Sequence, residues 1–246
     1  MTTNAGESQG RPKIVLVYAD DLGYGDLHCY NAASKIPTPN LDRLAGQGVA
    51  FMDAHAPAAI CGPSRYGLLT GRYPWRNPRG IELGHPYDQC KIEDGRMTLG
   101  HLLQGLGYHT AEMGKWGLRY DYRSALRDPD TPLDETSPDS FDWHGFLPQI
   151  TARAVDYIEA HTGKRTRPAF KIGSRQPFFL YFDPHVPHEP LVPNAPFVGK
   201  TAAGEYGDFV MEFDDSVGQL MQTLEENGLA ENTVFIVSSD NGPEST

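Results

Sequence analysis

A mostly parallel α/β sheet with helices on both faces is the fold class that this 246-residue sequence predicts. Three observations lead to it. Apolar runs at residues 13–18, 178–182 and 233–237 read as strands, and the first two are unbroken enough for strands buried on both faces of a parallel sheet. Stretches with helical spacing separate them, so strands and helices alternate along the chain. Polar groups follow the strands at their carboxyl ends, where open α/β sheets place their ligands.

Taken in order, residues 1–11 are a polar, mobile lead, and residues 12–246 form one domain. The run at 13–18 leads into Asp20, Asp21 and an acidic, glycine-rich turn. Residues 38–45 read as a helix with Thr38 as N-cap and Pro39 at its first position, closed by Gly46 and Gly48. Residues 49–52 suggest a strand. Residues 65–70 make one or two helical turns that Gly71 ends, with Pro63 in the first turn. A long loop at 72–97 is followed by a helix at 99–106, capped by Thr98 and ended by Gly107, and a strand at 108–113. Residues 119–148 are acidic, proline-rich and irregular. A helix at 152–161, a basic linker at 164–167, the strand at 178–182, a long helix at 206–227 and the strand at 233–237 complete the chain. Phe209, Val210, Phe213, Val217, Leu220, Met221 and Leu224 give the long helix its apolar period.

Composition narrows the function. Apolar residues at 39% and charged residues at 22% are ordinary for a globular protein, and the length allows a sizeable core. A formal net charge of −11 argues against nucleic acid and anionic membranes as main partners. An anionic substrate would need a local cluster of cations or a metal. Cys29, Cys61 and Cys90 do not make a disulfide framework, although Cys29 and Cys90 could pair. The first ten residues lack the apolar segment of a signal peptide, and no run approaches the ~20 apolar residues of a membrane span. The expectation is therefore a cytoplasmic protein, or a periplasmic or secreted one if a leader was trimmed.

The chemistry concentrates in Cys61-Gly62-Pro63-Ser64-Arg65 and at the strand ends. Cys61 falls at a helix N-terminus, where free N–H groups and the dipole favour an anion, and Arg65 lies one turn on. Asp20, Asp21, Lys115, His188, Asp240 and Asn241 follow four separate strands, so a parallel sheet can bring them to one edge. Three carboxylates and an amide oxygen form a hard oxygen site, suited to Ca²⁺ or Mg²⁺ rather than Zn²⁺.

Residues 59–71 resemble the maturation and active-site signature of the type I sulfatases, members of the alkaline-phosphatase-like superfamily. Residues 107–115 resemble that family's second signature. The resemblance implies that Cys61 is converted to formylglycine by a formylglycine-generating enzyme. It implies that Asp20, Asp21, Asp240 and Asn241 bind calcium with the modified Cys61, and that Arg65 holds the nucleophile. Lys115 and His188 would contact the sulfate. The implied activity is hydrolysis of an aryl or sugar sulfate ester. Two departures stand out: Gly117 replaces a family histidine, and the chain is expected to lack a further active-site lysine and the family's C-terminal subdomain. A phosphoester or phosphonate monoester hydrolase of the same superfamily and a non-catalytic remnant are the alternatives.

Overall fold

The computed structural model describes residues 10–80, 89–118, 142–163 and 176–243. Most of the polar lead, the basic linker at 164–167 and most of the irregular stretch at 119–148 lie outside them. Strands β1 (Lys13–Ala19), β2 (His109–Gly114), β3 (Phe178–Asp183) and β4 (Thr233–Ser239) form one sheet. Helices α1 (Pro39–Gln47), α2 (Cys61–Thr70), α3 (Leu99–Gly105), α4 (Trp143–His161) and α5 (Gly204–Glu226) connect and cover them. The strand order is β2-β3-β1-β4 and every pairing is parallel. All four carboxyl ends therefore share one edge, as the expected fold class requires.

The continuous apolar runs have a simple cause. Successive side chains on a strand point to opposite faces, and both faces of β1 and β3 are covered. On one face, Val15, Val17, Phe178, Leu180 and Phe182 pack in a cluster with Ala154 and Tyr157 of α4 and Phe213 and Val217 of α5. On the other, Leu16, Tyr18, Phe179 and Tyr181 meet Tyr66 and Leu69 of α2 and Leu103 of α3. Each fully buried large side chain contributes roughly 1.5–3 kcal/mol, so this double-sided layer is the main stabilising element. β4 lies at the edge, where Val234 and Ile236 are left partly in solvent.

Three expectations change. Residues 49–52 join no strand, and Val49, Phe51 and Met52 lie 77%, 69% and 65% exposed. An apolar composition forms a strand only where an edge is offered to it, and none of the described strands pairs with this segment. Helix α4 starts at Trp143, not at 152, and runs through Pro148. Proline removes one helical N–H and frees the carbonyl four residues back. That carbonyl belongs to His144, and the Asn194 side-chain amide donates to it at 2.9 Å. Thr38 precedes α1 as expected but its side chain does not cap the helix. Its hydroxyl accepts from the His28 N–H and leans to Asp42. The cap comes from α5: the buried Asp214 carboxylate accepts from the Asn40 N–H at 3.1 Å and the Leu41 N–H at 2.8 Å. Cys29 and Cys90 are free thiols.

Asp214→Ala should accordingly cost about 2 kcal/mol or more, because two helix N–H groups lose their acceptor inside the protein. The neighbouring exposed Asp215→Ala should stay within about 0.5 kcal/mol. Urea unfolding of both variants checks this, and equal midpoints would contradict the α5 cap.

Candidate active site

The carboxyl edge of the sheet is tied together by backbone bonds before any side chain is considered. The Asp20 N–H donates to the Val186 carbonyl at 3.0 Å, and the Asp240 N–H to the Ala19 carbonyl at 3.1 Å. Lys115 N–H donates to the Asp183 carbonyl at 2.7 Å. Gly114 allows that approach: a Cβ there would lie 2.1 Å from the Asp183 oxygen. These bonds fix the stems of Asp20, Lys115, Asp183 and Asp240 side by side.

Helix α2 brings the other half. Cys61 is its first residue, after Ile60 in extended conformation, and Gly71 ends it in the left-handed region. Arg65, one turn into the helix, is wholly buried. Its guanidinium lies 3.0 Å from Asp240 Oδ2, 3.4 Å from Asp20 Oδ1 and 3.4 Å from Asp183 Oδ2. It also donates to the Lys115 carbonyl at 2.6 Å and stands over the Tyr18 ring. A planar fork with five donors suits several carboxylates at once.

Every residue singled out in the sequence reaches this edge. Cys61 Sγ is half-buried, 3.6 Å from Lys115 Nζ and 3.8 Å from Asp21 Oδ1. Lys115 Nζ pairs with Asp20 Oδ2. Ligand atoms of Asp20, Asp21, Cys61 and Asp240 all lie within 4.8 Å of one another. His188 Nε2 lies 3.7 Å from Asp21 Oδ2. Asn241 donates its amide N–H to Asp21 Oδ1, while its own Oδ1 is buried without a partner.

Two residues were missed. Asp183 is the last residue of β3, and its only sequence signal is a carboxylate directly after Phe182. His185 shares the Pro-His-x-Pro-His run with His188, and its Nδ1 lies 3.0 Å from Asp20 Oδ2.

Electrostatics here are unbalanced. Burial opposes ionisation of Asp20, but the hydrogen bond from His185 and the charges of Lys115 and Arg65 outweigh it and hold the carboxyl well below its usual range. Burial, and then the Asp20 charge, push Asp240 up to about 7. Burial also raises Asp183. The Cys61 thiol rises to about 12 through burial and then through Asp20, so it stays protonated at neutral pH. Close oxygen donors and mutually repelling carboxylates fit a hard divalent cation, and Asn241 joins them once its amide is turned so that the oxygen, not the nitrogen, faces Asp21. Asp20, Asp21, Asp240 and Asn241 are the residues that could hold one.

Gly117 has a local reason. Its φ is +68°, and a Cβ there would lie 2.8 Å from Arg65 Cδ. In this arrangement any side chain at 117 presses on the arginine.

The sequence matches the model of the Sulfatase family over residues 12–246. The chain belongs to this family. It is 31% identical to the N-acetylgalactosamine-6-O-sulfatase of Bacteroides thetaiotaomicron, covering 97% of this chain and 60% of that protein. It is 33% identical to human arylsulfatase A, covering 95% and 52%. This sulfatase-family chain thus spans about half to three fifths of the length of those relatives. Among solved structures, one from a study of glycosaminoglycan metabolism by B. thetaiotaomicron superposes with a TM-score of 0.78 at 28% identity, covering 95% of this chain and 63% of the other. The phosphonate monoester hydrolase of Agrobacterium radiobacter shares the fold with a TM-score of 0.69 at 19% identity, covering 94% and 63%.

Arg65→Met leaves the buried carboxylates without their shared counter-ion and should destabilise the protein by about 3–5 kcal/mol. Arg65→Lys should recover only part of the loss, since one ammonium cannot reach all three. Urea unfolding at neutral pH measures both; a Met variant as stable as the wild type would contradict the ion-pair account.

Proposed function

We propose that this chain carries the active centre of a sulfuric ester hydrolase whose nucleophile is formylglycine made from Cys61. The observation that carries the reading is that Lys115 and the acidic cluster meet Cys61 at a helix N-terminus, within a sulfatase-family chain. Formylglycine, as its hydrate, would supply one hydroxyl to displace the alcohol from sulfur and a second whose proton loss re-forms the aldehyde and expels sulfate. A formylglycine-generating enzyme is the partner that this maturation requires.

The chain's own residues divide the remaining work. Asp20, Asp21, Asp240 and Asn241 hold a divalent cation, calcium before magnesium, with modified Cys61 touching it. The cation supplies positive charge where the sulfate oxygens gain negative charge. Lys115, half-buried beside Cys61, neutralises a second part of that charge. Arg65 holds the Asp20, Asp183 and Asp240 carboxylates in register and keeps the nucleophile's surroundings from becoming strongly anionic. His188 lies close enough to Cys61 and Asp20 to meet the ester's leaving-group oxygen and deliver a proton to it. An unmodified thiol at about 12 is a poor nucleophile at neutral pH, which fits a cysteine that serves as a precursor. The names of the relatives favour a sulfated sugar or an aryl sulfate as substrate.

Four tests follow from these roles, all on protein coexpressed with the maturation enzyme. The peptide carrying Cys61 should lose one sulfur and two hydrogens and gain one oxygen by mass spectrometry. Cys61→Ala should lower turnover of an aryl sulfate at least about 10³-fold while the melting temperature stays near the wild-type value. Faster turnover of the matching phosphonate monoester than of the sulfate would reassign the chemistry. Calcium at about 100 times its dissociation constant should add about 2.7 kcal/mol, or roughly 5–10 °C in melting temperature for a chain of this size. A melting temperature indifferent to calcium, magnesium and chelator would count against the cation site.

A further inference from the structure

Asp21 is the one described non-glycine residue with a positive φ, +64°. A left-handed backbone costs an L-residue about 1–2 kcal/mol, so the surroundings must hold it. The conformation matters because it turns the Asp21 carboxylate toward Cys61, His188 and Asn241.

The hold comes from two sides. From β4, Asp240 Oδ1 accepts the Asp21 N–H at 3.1 Å and Ser239 Oγ accepts the Leu22 N–H at 3.0 Å. From α5, the Tyr206 hydroxyl reaches the same turn. It lies 2.6 Å from Asp26 Oδ2, 3.2 Å from the Asp21 carbonyl oxygen and 3.3 Å from the Gly23 nitrogen. Asp26 Oδ2 also accepts the Gly23 N–H at 2.9 Å. The hydroxyl's single proton serves the shorter contact, to Asp26, and its oxygen accepts from Gly23. Residues 21–26 are thus clasped between the end of β4 and the first turn of α5.

We infer that Tyr206 and Asp26 are positioning residues for the cation site: they fix the left-handed turn at Asp21 and so aim its carboxylate. Neither is a ligand, since both act through the backbone N–H of Gly23, two residues on from Asp21. The inference rests on the proposed cation-binding role of Asp21. Partners one step removed from a metal ligand typically change metal affinity by about 10–100-fold when removed.

The experiment is calcium titration by calorimetry on the wild type, Tyr206→Phe, Asp26→Ala, Asp26→Asn and Tyr157→Phe, with cation-free melting temperatures recorded beside it. Tyr157 supplies the control. Its buried hydroxyl contacts His109 at the amino edge of the sheet, away from the site. Expected are calcium affinities about tenfold weaker in Tyr206→Phe and Asp26→Ala, near wild type in Asp26→Asn, whose amide oxygen can accept both bonds, and unchanged in Tyr157→Phe. Unchanged affinity in Tyr206→Phe and Asp26→Ala, with the wild type binding calcium, overturns the clasp and leaves the cation site standing. An equal fall in Tyr157→Phe reduces the effect to general loosening and overturns it as well. A loss in Asp26→Asn as large as in Asp26→Ala assigns the effect to charge and rejects the hydrogen-bonded clasp. A wild type that takes up neither calcium nor magnesium overturns the parent reading and the clasp together.

Discussion

The buried Arg65 guanidinium is the constraint on which the carboxyl edge of the sheet depends. Asp20, Asp183 and Asp240 come from three adjacent strands and all lie in the interior without exposure. An isolated buried carboxylate would rather be neutral than charged. Three of them within reach of one another are tolerable only around a permanent cation, and arginine is the side chain that neither deprotonates nor is limited to a single partner. The arginine arrives on α2, the same short helix that carries Cys61. One helix thereby positions Cys61 and neutralises the strand ends beside it. The glycine at 117 belongs to the same arrangement, because a Cβ there would lie 2.8 Å from Arg65 Cδ and push the arginine stem aside.

Much of this was legible because it is local. The apolar runs of β1 and β3 reflect burial on both faces, and alternation with helices implies parallel pairing. The acidic groups directly after the strands could then be placed on one edge without any coordinates. Cys61 and Arg65 were legible because a Pro-Ser pair and a terminal glycine bound a short helix. What escaped was long-range. Asp183 looks like any strand-ending aspartate until Arg65, 118 residues away, is seen to face it. His185 looks equivalent to His188, and only the fold turns one toward Asp20 and the other toward Asp21. Thr38 has the local chemistry of an N-cap, but Asp214 on α5 competes for the same N–H groups and wins. Pro148 reads as a helix breaker until Asn194 is found on the carbonyl that it frees.

These misses share a cause. Helix ends and interruptions need hydrogen-bond partners, and sequence shows only the partners within a few residues. A tertiary partner can satisfy the same atoms, and then the local signal points to the wrong boundary or the wrong cap. Strand placement suffers in the opposite way. Residues 49–52 have the composition of a strand, but a strand is defined by its neighbour, and no described edge meets them.

Charge gives the architecture its last consequence. A chain with a net charge of −11 repels an anionic ester at long range, so its affinity for one must be made close by. Screening at physiological salt confines the repulsion to about 8 Å, which leaves the site's own groups to decide the outcome. Close to Cys61 those groups are Lys115, His188 and the N-terminal N–H groups of α2, against Asp20, Asp21 and Asp240. Arg65 is spent on the carboxylates and faces no solvent. Lys115 is in turn paired with Asp20, so little positive charge is left to attract an anion at this edge. In the proposed reading a divalent cation among Asp20, Asp21, Asp240 and Asn241 would supply that positive charge. On that proposal the acidic cluster serves an anion indirectly, by holding the cation that would attract it.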